Sequence, residues 1–206
     1  MDAMHRMVDD AVHDSPNEIL DHEDDHEEVA PHFNAHLKRV AGLNCVASNT
    51  FLPAGGTPSQ AFLAWREFAR SSPDFRIGPL LDRATQTPLT EAEIAAYDAP
   101  FPDEPSKAAA RAFPSLVPVE DGMPGVAENK AAWPALAAFD KPFLTLFGEE
   151  DPITKGSEKF LIERIAGAAG LDHRTLSPCG HFCQEDQPEA LAQGVIDMAR
   201  KAGHLA

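Results

Sequence analysis

Two titratable residues stand where acid–base chemistry could use them. Asp151 lies four residues past the apolar run Phe143-Leu144-Thr145-Leu146-Phe147, and His181 lies five past a second run ending at Leu176. In a parallel sheet, functional groups collect beyond the carboxyl ends of the strands. An acid and an imidazole on separate loops there can act as a unit. The carboxylate holds the imidazole's tautomer and stabilises it once protonated, while the imidazole serves as base. Residues of these types also occur in such loops as plain solvated or capping groups. Gly180 before His181 and the turn Gly148-Glu149-Glu150-Asp151-Pro152 sharpen the catalytic reading.

The elements that must position this pair are clearest in the last third of the chain. Phe143 to Phe147 reads as a strand buried on both faces, as parallel strands are. A helix over 157–165, a strand over 173–176 and an amphipathic helix over 188–201 follow. Strand, helix, strand, helix at that spacing predicts an α/β protein with a parallel sheet. Upstream, Leu43 to Ala47 is a short strand running into Ser48-Asn49-Thr50, and 52–57 is a Pro/Gly-rich loop. Ser59 opens a helix over 60–70, where Phe62, Leu63, Trp65 and Phe68 fall at helical period. Thr90-Glu91-Ala92-Glu93 has the capping-box form for a second helix, ending near Tyr97. After a proline-broken connection over 98–105, Ser106 caps a third helix through Phe113. A loop over 114–125 then leads to an Ala-rich helix over 127–139, notched by Pro134.

Charge is concentrated at the start. The 206 residues carry 33 acidic and 17 basic side chains, a net of −16. Residues 1–40 hold eleven Asp/Glu, three Lys/Arg and six of the nine histidines, so half the net charge sits in a fifth of the length. Residues 1–37 are therefore expected to be an acidic, His-rich, disordered leader, with 38–206 the folded part. Such a balance repels phosphate backbones and anionic lipid, which argues against nucleic-acid and membrane partners. No run of 18 uncharged apolar residues is present to span a bilayer. Asp2, Arg6, Asp9 and Asp10 leave no apolar core for a secretory signal. Cys45, Cys179 and Cys183 form no disulfide framework, so a reducing compartment, the cytoplasm, is expected.

A series of longer motifs runs through the chain. Lys38-Arg39-Val40-Ala41-Gly42-Leu43 leads into the first strand, and Asn49-Thr50 and Leu52-Pro53 follow it. Phe62-Leu63-Ala64-Trp65 and Ala96-Tyr97-Asp98-Ala99-Pro100-Phe101-Pro102-Asp103 lie in the helical region. Phe143 through Thr154, with Gly180-His181-Phe182-x-Gln184-Glu185-Asp186, surround the acid and the histidine. On these motifs residues 38–206 resemble the C-terminal part, cap domain included, of haloalkane dehalogenases, a branch of the α/β-hydrolases. The order of acid and then histidine is that of the α/β-hydrolase triad after its nucleophile. The resemblance implies a partial α/β-hydrolase fold: about three parallel strands, with a helical cap inserted over about 53–125. It implies hydrolysis of a carbon–halogen bond in a small apolar haloalkane to alcohol and halide, with neither cofactor nor metal. In that family an aspartate displaces the halide, leaving an alkyl-enzyme ester, and a histidine activates the water that hydrolyses it. Carried over, His181 is the base, Asp151 its partner, Trp65 a halide donor through its indole N–H, and Phe62 a pocket-lining residue. The apolar cap keeps the site dry and so strengthens those bonds.

The family's nucleophile is expected upstream of residue 38, on a sharp turn flanked by small residues. Asp24 and Asp25 lie near the right distance from Arg39, but His22, Glu23, His26 and Glu27 around them are bulky, and no glycine precedes Gly42. The indole that the family sets beside its nucleophile has no counterpart there, since Trp65 and Trp133 both come later. Neither aspartate is expected to attack a substrate. The chain is expected to be a truncated or rearranged relative, inactive alone. Its first strand would show an unpaired edge, open to self-association or to pairing with another chain as a non-catalytic remnant.

His22-Glu23-Asp24-Asp25-His26 also satisfies H-E-x-x-H, which sets two imidazoles on one helical face around zinc. That motif belongs on a buried apolar helix, whereas this one lies in an acidic run containing poor helix formers. Metal binding through the leader is thus an alternative, without protease chemistry. Cys179 and Cys183 flank His181 but lack further ligands nearby, so both are expected to be small core residues. Trp133 is expected in the core, and His173 and His204 on the surface.

Overall fold

The middle strand shows why the sheet forms. In the computed structural model, which describes residues 44–205, β1 (Cys45–Ala47) and β2 (Phe143–Gly148) run parallel, and β2 is buried along its whole length. β3 (Arg174–Leu176) pairs with the other side of β2, also parallel, giving the order β1-β2-β3. Cys45 is opposite Phe143, and Arg174 is opposite Leu146. Alternation along the strands then sorts side chains to two faces. Phe143 and Phe147 join Ala47, Leu161, Ile165 and Ala168 in one cluster. Leu144 and Leu146 join Leu176, Cys179, Cys183 and Met198 in the other. β1 has no strand on its outer side among the described residues.

Helices α1 (Gln60–Ser71), α2 (Ile77–Ala84), α3 (Glu91–Asp98), α4 (Ala108–Leu116) and α5 (Val126–Ala137) lie between β1 and β2. After β2 come α6 (Ser157–Arg164), then β3, α7 (Cys183–Asp186) and α8 (Pro188–Lys201). α5 and α6 pack Trp133, Leu136 and Leu161 against one face of the sheet, and α8 packs Ala190, Leu191 and Met198 against the other. Both faces are covered, as a buried parallel sheet requires. The cap helices start on local signals. Ser59 accepts the Phe62 N–H at 3.1 Å, and Thr90 and Glu93 satisfy each other's backbone N–H groups in a reciprocal box. Arg111 of α4 ties the cap together by donating to the Ala69 and Ser72 carbonyls and lying 4.5 Å from the Phe75 ring centroid.

Several stretches depart from the sequence reading. Helix α2 carries Gly78 and Pro79 and has no cap signal of its own. Pro79 sits in the first turn, where its missing N–H has no intrahelical partner to lose. Gly78 packs against the Ile94 carbonyl of α3 too closely for any side chain, and its N–H bonds Asp98 Oδ1 at 2.9 Å. Contact with α3 therefore stabilises this helix where local propensity does not. α4 continues through the buried Pro114 to Leu116, although the sequence reads 114–125 as loop. Ser106 does not cap α4 directly; it lies in a 3₁₀ turn, Pro105–Lys107, bonded to Asp103. Residues 1–37, with Asp24, Asp25 and the His22–His26 motif, lie outside the described residues. Among the described residues, no helix is long and apolar enough to cross a membrane.

His173 is a further correction: it is half-buried and works as part of the sheet. Its Nδ1 accepts the Thr145 N–H at 3.1 Å, and its Nε2 lies 2.8 Å from the Ala168 carbonyl. An amide N–H only donates and a carbonyl only accepts, so the neutral Nε2–H tautomer satisfies both. The imidazole thus extends the contact between β2 and β3 ahead of the point where backbone pairing begins, at Leu146. Replacing it by His173→Ala strands the Thr145 N–H and is expected to cost about 2 kcal/mol in urea unfolding. An unchanged midpoint would remove this role.

Candidate active site

Two post-strand loops are joined by backbone bonds before either functional side chain is considered. At the end of β2, Gly148 packs against the carbonyls of Cys179 and Gly180, where a Cβ would overlap them. The Glu149 and Glu150 N–H groups donate to the Leu176 and Cys179 carbonyls at 2.9 and 3.0 Å. In return, the Glu150 carboxylate accepts from the Cys179 N–H and the Ser177 hydroxyl, both at 2.8 Å. These donors hold the Glu150 carboxyl below the usual carboxylate range.

Asp151 follows, fully buried. Its Oδ1 accepts the Ile153 N–H at 2.8 Å. Oδ2 accepts the Thr154 N–H at 3.2 Å and the Thr154 hydroxyl, and lies 3.0 Å from His181 Nδ1. Burial, the largest single influence, pushes this carboxyl up. The bonds from His181, Thr154 and Ile153 together outweigh it and hold the group below the ordinary carboxylate range. An ionised carboxylate only accepts, so Nδ1 carries a proton, and in the neutral imidazole Nε2 presents its lone pair. Nε2 bonds no described residue, and the His181 side chain is 31% exposed.

The imidazole lines a cavity of about 570 Å³ whose walls are mostly apolar. Phe62 and Trp65 of α1 reach the same cavity, with Leu80 and Leu81 of α2 and Ile153 from the acid loop. Trp65 stacks on Phe75, with ring centroids 6.0 Å apart, and its indole N–H bonds no described residue. The structure therefore brings Phe62, Trp65 and His181 to one chamber, with Asp151 behind the imidazole. Glu150 also lines the chamber, but its oxygens are engaged as described. Among the described residues, no free carboxylate faces the imidazole across this space.

Asn49 is a participant that the sequence reading treats only as part of a family turn. It is the one non-glycine residue with positive φ among those described, at 41°, a conformation that asparagine tolerates. That geometry aims its amide at two segments. Oδ1 accepts the Gly148 N–H, and Nδ2 donates to the Gly180 and His181 carbonyls, each at 2.8 Å. The end of β1 is thereby tied to both functional loops. An asparagine two residues past a short strand is the available sequence signal, and a weak one. Cys179 and Cys183 are packed in the core, where burial pushes the Cys179 thiol up. No group of three His, Cys, Asp or Glu among the described residues could hold a metal ion.

No family model matches the chain. It is 47% identical over 163 residues to a haloalkane dehalogenase of Mycobacterium marinum, covering 78% of this chain and 54% of that protein. A haloalkane dehalogenase of Psychrobacter cryohalolentis is 43% identical over 151 residues, covering 73% and 50%. In fold, the chain is similar to the tetrameric haloalkane dehalogenase DpaA from Paraglaciecola agarilytica, with a TM-score of 0.66 at 21% identity over 73% of this chain and 50% of that one. It is also similar to DatA from Agrobacterium tumefaciens, with a TM-score of 0.56 at 25% identity over 78% and 56%. The chain spans about half the length of the curated relatives it matches.

Proposed function

Starting from a chain that is similar over about three quarters of its length to haloalkane dehalogenases, we propose that it carries the acid–base and halide-binding portion of such an enzyme, for small apolar halogenated substrates. The observation that carries this reading is one imidazole: His181, oriented by buried Asp151, opens on an apolar chamber shared with Trp65 and Phe62. In hydrolysis of an alkyl-enzyme ester, His181 Nε2 takes a proton as water attacks the ester carbonyl, and Asp151 stabilises the imidazolium through Nδ1–H. The Trp65 indole N–H donates to the halide as charge develops on it. Apolar walls exclude water that would weaken that bond, and Phe62 bounds the space for the alkyl group. Neither step calls for a metal or cofactor.

The displacement that forms the ester needs a carboxylate nucleophile, and no described residue supplies one. Asp24 and Asp25 lack the small neighbours that a nucleophile turn requires. The purified chain is therefore expected to release bromide from 1-bromobutane no faster than its His181→Ala variant. Release above that control overturns the expected inactivity. Bromide is expected to give a saturable component of tryptophan quenching that Trp65→Phe removes. Purely collisional quenching in both proteins would sink the halide role.

In this reading residues 53–125 are the inserted cap, and the three free thiols suit the cytoplasm. The outer edge of β1 is the place for self-association, since an unpaired strand edge is a template for another chain. Sedimentation at increasing concentration reads this directly; a constant monomer mass rules it out.

A further inference from the structure

The histidine loop is bonded on its far side to the cap, and one carboxylate makes most of the connection. Asp186 closes the short helix α7, five residues after His181. Its Oδ1 accepts the Gln86 N–H at 2.8 Å and the Thr87 N–H at 2.7 Å, both from the turn between α2 and α3. Its Oδ2 accepts the Gly180 N–H at 2.7 Å and shares the Gln86 N–H at 3.0 Å. Three backbone donors from two distant segments thus converge on two oxygens. Next to them, the His181 N–H donates to the Ala84 carbonyl at 2.9 Å. Gly180 lies so close to that carbonyl that a Cβ would overlap it. Tyr97 of α3 adds a hydroxyl bond to Glu185.

We propose that Asp186 is a positioning residue, a latch that couples the cap turn after α2 to the backbone of Gly180 and His181. Helix α2 supplies Ile77, Leu80, Leu81 and Ala84 to the cavity wall. The latch makes that wall and the imidazole one mechanical unit. Opening the cap at this turn strips the histidine loop of its partners, so the base is held in place while the turn stays docked on the loop. Only an acceptor-only group suits the position. An asparagine would turn its own N–H₂ toward one of the three donors. The coupling stands whether or not His181 is the base of a dehalogenation; its catalytic consequence alone rests on that reading.

Amide hydrogen exchange on the full chain tests it without any activity. In Asp186→Asn, exchange at Gln86, Thr87 and Gly180 is expected to rise at least about tenfold, while Leu144 and Leu146 in β2 keep their rates. The proton on His181 Nδ1, held by Asp151, is expected to give a separate NMR resonance in the wild type and to broaden or vanish in the same variant. A merely structural contact would not move it selectively. Asp186→Ala should enlarge both effects. Unchanged protection at Gly180, an unaltered Nδ1 proton, or a uniform rise that includes β2 would each overturn the latch.

Discussion

Asp151→Ala is expected to lower folding stability by about 3–5 kcal/mol, the range for removing one partner from a buried, hydrogen-bonded charge pair. The carboxylate is fully buried and gathers the N–H groups of Ile153 and Thr154, the Thr154 hydroxyl and His181 Nδ1. Alanine leaves all of these donors without an acceptor in a site sealed by the two loops. Asp151→Asn keeps the shape but turns an N–H₂ toward at least one donor, and should cost less, about 1–3 kcal/mol. Urea unfolding measures both. A loss below about 1 kcal/mol for the alanine variant would show that the bonds around Asp151 add little.

The same carboxyl sets a dependence on pH. Folding holds it below its unfolded value, which is near about 4. In the window between folded and unfolded values, the unfolded chain binds the more protons, so stability is lost as pH falls through that window and regained as pH rises. Wild type is therefore expected to lose stability below about pH 4 more steeply than Asp151→Asn. Exposed carboxylates whose partners also hold them low, such as Glu104 beside Lys107 and Arg111, are common to both proteins and cancel in the difference. Parallel curves would remove Asp151 as the source.

Phe147→Ala is the second large expectation, at about 3–5 kcal/mol. Phe147 is 1% exposed in β2 and clusters with Ala47, Leu161 and Ile165, so truncation loses its transfer energy and leaves a cavity that backbone neighbours cannot close. Phe113 is the control. At 65% exposure on α4, its alanine variant should stay within about 0.5 kcal/mol of wild type. Similar losses for the two would show that the cluster around β2 does not dominate stability.

Much of this architecture could be read from residue order. The run Phe143–Phe147 marks a strand buried on both faces because no polar residue but Thr145 interrupts it. Ser59 and Thr90 mark helix starts because their side chains cap the next turn whatever the tertiary setting. Helix α2 escaped because its cause is non-local: Gly78 is there to let Ile94 approach, and Pro79 is harmless only in a first turn. His173 escaped for a similar reason. Its partners, Thr145 and Ala168, become neighbours only once β2 and β3 pair.

Asp151 and His181 stood out because each follows a strand and carries chemistry its neighbours lack, and the family motifs around them supplied an order of roles. Taken alone, the amino-acid order established the parallel α/β class, the strand and helix starts driven by local bonds, and the residue types available for acid–base work. Tertiary structure alone decided that Asp151 Oδ2 lies 3.0 Å from Nδ1, that Trp65 and Phe62 share a chamber with that imidazole, and that Asn49 and Asp186 both bond the backbone of the histidine loop. Caps and periodicity act over three or four residues, so a linear reading captures them. A hydrogen bond such as Gln86 to Asp186 joins positions 100 apart in the chain and exists only after the sheet and cap have closed around it.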